Sequence, residues 1–453
     1  MPEKNSSNTQ QSQLPGLYIK TYGCQMNVYD TEKLAKILEG QYQWVEEPEA
    51  AKLILVNTCS VREKPEHKLF SLLGRLRQMK DKDPDLLVGV GGCVAQQEGE
   101  KIVKRSPVVD FVFGTHNLSL VPALIAQKKS SGQAQVAVDY RDEWEELPLG
   151  TTGAGQASVF VTISRGCNKA CAYCIVPRTR GSEVSRSKEE ILKEVRIAAH
   201  RGTKEIVFLG QNVNSYGRDL DPKVSFAALL EEASKVDGPE RIRFTSPHPQ
   251  DIRDDFYELM ANNPKMCRHV HMPLQSGSDR ILKLMNRNYR QQRYLDIIER
   301  LKASVPDLAI TTDIIVGFPG ETRRDFEDTL AVMKTVQFDG SFSFLFSPRP
   351  ETAAAEMEGC ISPAEGSARL QELQALQDEI VAKKLVDWHG REVEVLLDGY
   401  SKSDDRLLQG RVSQNFMVNL VREEEALKPG MIIVAKVVGV SRHTLQGEWC
   451  CPD

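Results

Sequence analysis

The sequence lacks the features that would tie the chain to a membrane or direct it to secretion. No apolar run approaches the roughly 20 residues that a transmembrane helix needs. The first residues, MPEKNSSNTQQSQLPG, contain no apolar core of a signal peptide. These absences predict a cytoplasmic protein without membrane contact, and residues 1–16 are predicted to form a disordered tail.

The sequence also lacks an excess of positive charge. It has 58 Lys and Arg residues against 63 Asp and Glu residues, a formal net charge of −5 at pH 7. Any RNA-binding surface must therefore be local. A disulfide framework is not expected either, because the ten cysteines come without a secretion signal and the cytosol keeps thiols reduced. Cysteines that group together are instead candidates for metal or cluster ligands.

The apolar pattern of the amino-terminal segment predicts an α/β domain with a Rossmann-like parallel sheet. The predicted strands are LYIKTYGC, KLILVNTC, LLVGVGGC and DFVFGTH, and helical runs separate them, the first of these from Asp30 to Leu38. Short apolar strands between helices are typical of a parallel sheet that is covered on both faces. After Ala134 the pattern ends, and the stretch LGTTGAGQAS is predicted to be a linker.

From Val159 onward, strand and helix alternate six times, which predicts a partial (β/α)6 barrel. The predicted strands are VFVTISRG, EIVFLGQNV, RIRFTSPHP, HVHMPLQSG, LAITTDIIVGFPG and GSFSFLFSPRP. Past His389, the runs REVEVLLDGY, LLQGRVSQNFMVNLV and GMIIVAKVVGVS predict the antiparallel strands of a small β-barrel. The predicted domains are residues 17–145, 146–388 and 389–453.

Three cysteines lie close together in SRGCNKACAYCIVP: Cys167, Cys171 and Cys174. Packing explains one or two clustered cysteines, but three in C-x3-C-x2-C spacing indicate metal or cluster ligation. They follow the first barrel strand, at the face where barrel active sites gather. Zinc and a 4Fe–4S cluster each need four ligands, so one position is left open for a substrate.

Zinc is the alternative to an iron–sulfur cluster at this motif, although catalytic zinc mostly uses histidine and carboxylate ligands, which this segment does not offer. His269 and His271 alternate onto one face of a predicted strand and could ligate a metal. No third partner lies near them in the sequence, so a hydrogen-bonding role is favoured.

A second set of cysteines, Cys24, Cys59 and Cys93, is widely spaced, and each ends one of the first three predicted strands. The carboxyl ends of adjacent parallel strands open onto one crevice, so these three could converge. The alternative is that each packs as a small buried hydrophobe. Spacing alone leaves both interpretations open. The remaining four cysteines are interpreted as structural or incidental thiols: Cys267, Cys360, Cys450 and Cys451.

The C-x3-C-x2-C motif, with Tyr173 before its last cysteine, resembles that of the radical S-adenosylmethionine enzymes. TYGCQMNVYD, NTCSVREK, GGCVAQ, RGCNKACAYCIVPRTRG, FLGQNVNSYG, HMPLQSGSDRILKLMNR and DIIVGFPGET together resemble the methylthiotransferases over nearly all of residues 17–448. That family joins an amino-terminal cluster domain, a radical barrel and a carboxyl-terminal TRAM domain. GCQMN, NTCSVREK and RGCNKACAYCIVPRTRGSEVSR are most similar to the bacterial branch that acts on isopentenyladenosine in tRNA.

The resemblance implies two 4Fe–4S clusters and S-adenosylmethionine as cofactors. Cys167, Cys171 and Cys174 would hold the radical cluster, and Cys24, Cys59 and Cys93 would hold an auxiliary cluster that carries the sulfur. The residues implied to line the S-adenosylmethionine pocket are Tyr173, Gly210, Gln211, Asn212, Gln275, Ile315 and Gly317. Many superfamily members have Gly-Gly-Glu where this chain has Gly210-Gln211-Asn212, so the group that holds the methionine amino nitrogen is not identified by the resemblance.

The implied reaction is methylthiolation of carbon 2 of N6-isopentenyladenosine at position 37 of tRNA, with two molecules of S-adenosylmethionine. That C–H bond is not acidic, so general acid–base groups cannot activate it, and radical chemistry must come from a cofactor. No catalytic residue beyond the cluster ligands is predicted. The expected partners are the tRNA anticodon stem-loop and a low-potential electron donor such as flavodoxin or ferredoxin, and the chain is expected to be a monomer.

Two alternatives remain. The same chemistry could act on threonylcarbamoyladenosine in tRNA or on a ribosomal-protein aspartate, although those branches carry different residues after the first two cysteines. A non-catalytic iron–sulfur protein that binds RNA and senses redox state is the second alternative. The barrel-mouth motif and DIIVGFPGET argue against it, since a sensor needs no cofactor pocket.

Candidate RNA contacts lie beside the radical motif and in the last domain. Residues 165–186 carry a local charge of +4 and include Arg178, Arg180 and Arg186. This charge could position RNA phosphates or balance the cluster thiolates and the cofactor carboxylate. Residues 390–453 have a net charge of −2, so their composition does not itself indicate RNA binding. Arg411, Phe416 and Arg422 could still form a local contact surface, with Phe416 alternatively a barrel or domain contact.

Overall fold

The computed structural model describes residues 14–60, 63–141, 143–149, 155–401, 404, 406–421 and 427–450, with the side chains of 63–67 and 421 left aside. Most of the predicted tail, residues 1–13, and residues 150–154 of the predicted linker lie outside this part. The chain divides into two units, Met1–Arg141 with Glu145–Pro148 and Asp142–Trp144 with Leu149–Asp453. The three domain boundaries given above stay predictions. Among the helices described, none combines the length and apolar character of a membrane span.

The first unit contains six strands: β1 (Gly16–Thr21), β2 (Gln43–Trp44), β3 (Ala51–Thr58), β4 (Leu87–Gly92), β5 (Phe111–Phe113) and β6 (Gln135–Ala137). Its helices are α1 (Gln25–Ile37), α2 (Glu63–Lys82), α3 (Cys93–Glu98), α4 (Glu100–Arg105) and α5 (Val121–Ser131). The strands form one parallel sheet in the order β2-β1-β3-β4-β5-β6. The predicted parallel sheet is therefore confirmed.

Strand β3 shows why the sheet is covered on both faces. Ile54 and Val56 belong to one apolar core, which also contains residues of α2. Leu53 and Leu55 alternate with them and belong to a second core, which contains residues of α1 and α5. A strand that is buried on both faces carries a continuous apolar run, as KLILV does here.

Two predictions for this unit were wrong in detail. Helix α1 begins at Gln25 rather than at Asp30, because Cys24 and Asn27 form a capping box at its start. The sheet also contains β2 and β6, which were not predicted, and β6 lies where the pattern was taken to end. These strands have two and three residues, too few to show a periodicity.

The second unit begins with eight strands: β7 (Ser158–Thr162), β8 (Ser164–Arg165), β9 (Val184–Ser185), β10 (Glu205–Leu209), β11 (Arg241–Phe244), β12 (His269–His271), β13 (Ala309–Val316) and β14 (Gly340–Leu345). Its helices are α6 (Val176–Arg180), α7 (Lys188–His200), α8 (Phe226–Ser234), α9 (Asp254–Asn262), α10 (Asp279–Leu284), α11 (Gln291–Ser304), α12 (Arg323–Val336) and α13 (Pro363–Val386).

The six predicted barrel strands are all present. Strands β7, β10 and β11 form one parallel sheet, and β12, β13 and β14 form another. A parallel bridge between Ile242 and Met266 links the two sheets, so the six strands follow one another as a partial barrel. Strands β8 and β9 form a separate antiparallel pair beside the cysteine motif.

The unit ends in a small closed barrel of five strands: β15 (Glu392–Tyr400), β16 (Leu407–Arg411), β17 (Met417–Val421), β18 (Ile432–Val440) and β19 (Thr444–Trp449). Their order is β15-β16-β17-β19-β18. The sequence predicted three runs here, but the middle run folds into β16 and β17, and β19 was not predicted. The antiparallel prediction is right for every neighbouring pair except β17 and β19, which run parallel.

Candidate metal centres

The widely spaced cysteines meet at one edge of the sheet in the first unit. Cys24 caps α1 after β1, Cys59 directly follows β3, and Cys93 begins α3 after β4. Because β1, β3 and β4 are parallel neighbours, their carboxyl ends open on the same side. Hydrogen bonds to Cys24 and Cys93, together with burial, raise the pKa of the Cys59 thiol. The structure therefore brings the three thiols together.

The backbone around this first trio is held by two buried asparagines that the sequence reasoning missed. The Asn27 amide nitrogen donates to Asn57 Oδ1 at 3.1 Å and to the Thr58 carbonyl at 3.1 Å. The Asn57 amide nitrogen donates in return to the Asn27 carbonyl at 2.9 Å. These bonds tie the start of α1 to the end of β3. The only signal in the sequence is that each asparagine lies within three residues of a cysteine.

The second trio lies on the loop between β8 and α6. Cys167 is buried, whereas Cys171 and Cys174 are half-buried. The backbone folds the loop back on itself, since Cys167 N donates to the Gly181 carbonyl at 3.1 Å and Cys174 N donates to the Cys171 carbonyl at 3.0 Å. Burial raises the pKa of the Cys167 thiol to about 11 and that of Cys174 to about 12. Cluster binding must therefore remove protons from these thiols.

One side of this loop is an apolar wall. Tyr173 and Ile315 pack against the same buried cluster, which contains Ala172 and Phe318 among its members. Gln275 is bonded to β13 on both sides, since its N–H donates to the Asp313 carbonyl at 2.8 Å and its carbonyl accepts from Ile315 N at 2.9 Å.

Gly317 continues this side directly after β13. It has a φ of +76°, and its N–H donates to Glu321 Oε2 at 2.9 Å. The structure thus gathers four of the predicted pocket residues, Tyr173, Gln275, Ile315 and Gly317, around the end of β13.

The other side of the loop is polar and is organised by Asp251, which the sequence reasoning missed. Asp251 accepts hydrogen bonds from Lys169 Nζ at 3.1 Å, Arg218 Nη2 at 2.8 Å and Asn212 Nδ2 at 2.8 Å. Burial would raise the pKa of Asp251, but the bonds from Asn212, Lys169 and Arg218 hold it below its usual value. An ionised carboxylate only accepts, so Asp251 fixes the orientation of the Asn212 amide.

That orientation leaves an unsatisfied acceptor beside the cysteine loop. Asn212 Oδ1, Gln211 Oε1 and Ser164 Oγ are buried and have no hydrogen-bond partner among the described residues. A Cβ on Gly210 would lie 2.7 Å from Ser164 Oγ, so the neighbouring position has no room for a side chain. Buried acceptors without partners are costly, and a bound ligand with N–H donors would satisfy them. These oxygens therefore fit the methionine ammonium of S-adenosylmethionine.

The donor chemistry of the two trios fits iron–sulfur clusters. Across the described residues, no three His, Cys, Asp or Glu side chains have the arrangement of a site for one metal ion. Cys59 nevertheless contacts both Cys24 and Cys93, so the thiols do converge. This convergence suits a cluster, because the cysteines of a cluster bind different irons rather than one ion, and each trio supplies thiols alone.

The two histidines considered as metal ligands instead hydrogen-bond to β13. His269 Nε2 lies 2.9 Å from Thr311 Oγ1, and His271 Nδ1 lies 3.0 Å from the same oxygen. His271 Nε2 also lies 3.2 Å from Asp313 Oδ2. Burial, with Arg243 and His271 nearby, holds the pKa of His269 well below its usual value. The hydrogen-bonding role favoured for this pair is the one that the structure shows.

The basic residues beside the radical motif are largely paired within the fold. Lys169 pairs with Asp251, and buried Arg186 pairs with Glu194. Arg180 is also buried, whereas Arg178 is exposed and pairs with Glu351 at 2.9 Å. The charge of this segment is thus balanced mainly by neighbouring carboxylates, which leaves Arg178 as the most accessible of the predicted RNA contacts here.

The candidate RNA contacts of the last barrel have structural partners of their own. Arg411 pairs with Asp398 at 3.4 Å, and its carbonyl accepts a hydrogen bond from Arg241 at 2.7 Å. Phe416 is half-buried against Trp388, with ring centroids 5.0 Å apart. Arg422 lies outside the described residues. The contact of Phe416 agrees with the barrel or domain contact considered as its alternative role, and RNA binding by these residues stays a prediction.

Comparison with known proteins finds a family match in each of the two units. Residues 161–333 match the Radical SAM superfamily, and residues 16–114 match the Uncharacterized protein family UPF0004. Two solved structures share the fold at low identity. A radical S-adenosylmethionine methyltransferase, TsrM, from Kitasatospora setae has a TM-score of 0.55 at 14% identity, covering 76% of this chain and 74% of its own. The cobalamin-dependent S-adenosylmethionine radical enzyme OxsB has a TM-score of 0.52 at 13% identity, covering 82% and 56%.

Curated relatives match nearly the whole chain. A tRNA-2-methylthio-N(6)-dimethylallyladenosine synthase from Geobacter metallireducens is 49% identical over 95% of this chain and 98% of its own length. Proteins of the same description from Syntrophus aciditrophicus and Clostridium botulinum are each 43% identical, over 96% and 95% of this chain and 95% and 96% of their own lengths. The chain therefore belongs to the family of tRNA-2-methylthio-N(6)-dimethylallyladenosine synthases, within the radical S-adenosylmethionine superfamily.

Proposed function

We propose that this chain methylthiolates carbon 2 of N6-isopentenyladenosine at position 37 of tRNA. The observation that carries the proposal is its 49% identity, over 95% of the chain, to a relative named for this reaction. The two cysteine trios support it. The first converges at the carboxyl ends of parallel strands, and the second shares one loop between β8 and α6. General acid–base groups cannot activate the carbon 2 C–H bond, so the residues of the site must serve a radical cofactor.

Membership of the radical S-adenosylmethionine superfamily implies a 4Fe–4S cluster and S-adenosylmethionine. In the proposal, Cys167, Cys171 and Cys174 hold that cluster, and the convergent trio of the first unit holds a second one. When bound, these groups supply the radical that removes hydrogen from carbon 2 and the sulfur that replaces it. The protein contributes placement, because the reacting atoms must be held near contact distance.

The polar side of the cysteine loop would bind the amino acid end of S-adenosylmethionine. Asn212 Oδ1 and Gln211 Oε1 are buried acceptors without a hydrogen-bond partner among the described residues, which suits an ammonium group. Asp251 would orient Asn212 without touching the ligand itself. On the other side, Tyr173 and Ile315 would supply apolar contact surface. The amino-nitrogen contact is thus assigned to Gln211 and Asn212, of which Asn212 stands in place of the glutamate of other superfamily members.

The remaining parts of the proposal concern partners. Exposed Arg178 is the candidate for phosphate contact with the anticodon stem-loop. A low-potential electron donor such as flavodoxin or ferredoxin would supply electrons, and we propose a monomeric enzyme in the cytoplasm, where its tRNA substrate is found. We propose isopentenyladenosine as the substrate rather than threonylcarbamoyladenosine or a ribosomal-protein aspartate, because the relatives that cover the chain are named for the isopentenyladenosine reaction.

The test is nucleoside mass spectrometry on tRNA from a host that lacks its own methylthiotransferases. We expect 2-methylthio-N6-isopentenyladenosine when the chain is expressed, and none when the variant Cys174→Ala is expressed instead. A mass gain on threonylcarbamoyladenosine or on a ribosomal protein would overturn the substrate. Absence of S-adenosylmethionine cleavage by reduced, cluster-containing protein would favour the redox sensor.

A further inference from the structure

Residues 285–287, directly after α10, form hydrogen bonds to three successive residues of the cysteine loop. The Met285 carbonyl accepts a hydrogen bond from Ala172 N at 3.0 Å, and Asn286 Nδ2 donates to the Ala170 carbonyl at 2.6 Å. Between them, Arg287 Nη1 donates to Cys171 Sγ at 3.4 Å. Residues 285–287 therefore contact residues 170–172, and the central contact is a guanidinium on a cysteine sulfur.

Arg287 differs from three other buried arginines of the second unit. It is only 6% exposed, and its other partners are the Tyr289 hydroxyl at 3.0 Å and the Pro273 carbonyl at 3.3 Å. Among the described residues no carboxylate lies within ion-pair distance of it. By contrast, three other buried arginines each pair with a buried carboxylate: Arg186 with Glu194, Arg243 with Glu205 and Arg369 with Glu321.

A buried charge without a counter-charge is costly, so the fold must gain something by keeping Arg287. Two ionisable groups contact Arg287. The Tyr289 hydroxyl uses its proton in hydrogen bonds to the Pro273 and Leu274 carbonyls, so it stays neutral. The other is Cys171, which the proposed function makes a cluster ligand. Hydrogen bonds to the sulfurs and nearby charge set the reduction potential of an iron–sulfur cluster. Adding an electron makes the cluster more negative, and a fixed cation in contact with a ligand sulfur stabilises that state.

We propose that Arg287 is a positioning residue that supplies the counter-charge of the radical cluster at Cys171 and raises its reduction potential. The inference rests on the proposed function, in that Cys171 must be a ligand. The cation that raises the reduction potential belongs to the segment 285–287, and Arg287 is 116 residues away from Cys171 in the sequence.

The test is a redox titration of the full chain with both clusters and without S-adenosylmethionine. The radical cluster is identified as the one whose electron paramagnetic resonance signal changes when S-adenosylmethionine is added at the end. For Arg287→Met we expect an about tenfold lower equilibrium constant for reduction, which is about 59 mV for a one-electron couple. Arg287→Lys keeps the charge and should stay near the parent. Arg290→Gln removes an exposed arginine three residues further along the chain and should change nothing.

An Arg287→Met protein with full iron content and the parental potential would overturn the inference. So would a variant in which only the affinity for S-adenosylmethionine falls, because Arg287 would then face the cofactor rather than the cluster. If the Arg287→Met protein loses iron, Arg287→Gln is titrated in its place. Equal reduction potentials for the Lys and Gln variants would then overturn the inference, because only the Lys variant keeps the positive charge. If Cys171→Ala keeps the parental iron content, the proposed function fails instead, since Cys171 is then no ligand.

Discussion

At the scale of single residues, His248 shows how the charges around the cysteine loop affect a neighbour. Its backbone N–H donates to Asn214 Oδ1 at 2.8 Å, and its ring Nδ1 accepts from Gln250 N at 3.2 Å. Burial, followed by the positive charges of Arg287 and Lys169, lowers the pKa of His248 to about 2. The ring is therefore neutral in the native protein at any pH at which a cluster enzyme works.

This low pKa predicts a loss of stability in mild acid. An unfolded histidine has a pKa of about 6.5, so below that pH the unfolded state takes up a proton that the native state does not. Stability is then lost as the pH falls, by about 1.4 kcal/mol at pH 5.5. We expect His248→Gln to lose about 1.4 kcal/mol less than the parent in its free energy of unfolding between pH 7.5 and 5.5.

Denaturant unfolding at both pH values would measure this difference. His200→Gln is the matched control, because it removes an exposed histidine and should retain the pH dependence of the parent. An identical pH dependence for His248→Gln and the parent would show that His248 is protonated in the native state.

Residue types and spacing predicted the cysteines, but they did not predict Asp251 or Arg287. A cysteine trio is informative because few other roles use that residue at such spacing. Aspartate and arginine are common on surfaces, and their partners here are distant in sequence. Asp251 meets Lys169 across 82 positions, and Arg287 meets Cys171 across 116. Only the folded barrel brings such loops together, so the support of the cysteine loop could not be read from the sequence.

At the scale of elements, the order of the strands brings the three cysteines of the first trio together. Cys24, Cys59 and Cys93 follow β1, β3 and β4, which are adjacent because β2 lies on the outer side of β1. The sequence predicted the long buried strands, whose apolar runs are unmistakable. It missed β2, β6 and β19, because sheet pairing rather than local pattern defines the first two, and TLQGEW has little apolar character.

The turn between β4 and α3 predicts a selective loss of the second cluster. Gly92 has a φ of +90°, and a Cβ there would lie 2.2 Å from the Thr58 carbonyl, next to Cys59. Gly92→Ala must therefore displace the ends of β3 and β4, which carry Cys59 and Cys93. We expect the iron content to fall from about eight to about four atoms per chain, with the radical cluster retained.

Iron analysis together with electron paramagnetic resonance would measure that loss. Gly132→Ala is the control, because Gly132 also has a positive φ, +70°, but a Cβ there meets nothing within 4 Å. It should lower stability by about 1 kcal/mol and leave iron unchanged. Full iron content in Gly92→Ala would mean that the trio does not hold a cluster.

At the scale of the whole molecule, each of the two units carries a cysteine trio, the first at the carboxyl ends of parallel strands and the second on the loop between β8 and α6. The order of the three segments was predicted, because each has its own apolar pattern. The internal pairing of the basic residues was not, since Arg186 and Glu194 form a buried ion pair that composition cannot distinguish from an exposed patch. The net charge of −5 therefore says little about where RNA binds.

The division into two trios predicts that the two halves of the reaction can be separated. Replacing Cys24, Cys59 and Cys93 together by alanine should leave S-adenosylmethionine cleavage within about twofold of the parent, because the cysteine loop and its supports lie in the other unit. The same variant should form no methylthio product, since it cannot hold the sulfur donor. Replacing Cys167, Cys171 and Cys174 should abolish both activities. The measurement is 5′-deoxyadenosine and modified nucleoside from the same anaerobic assay. Loss of cleavage in the first variant, with its radical cluster intact by spectroscopy, would mean that the first trio also serves radical formation.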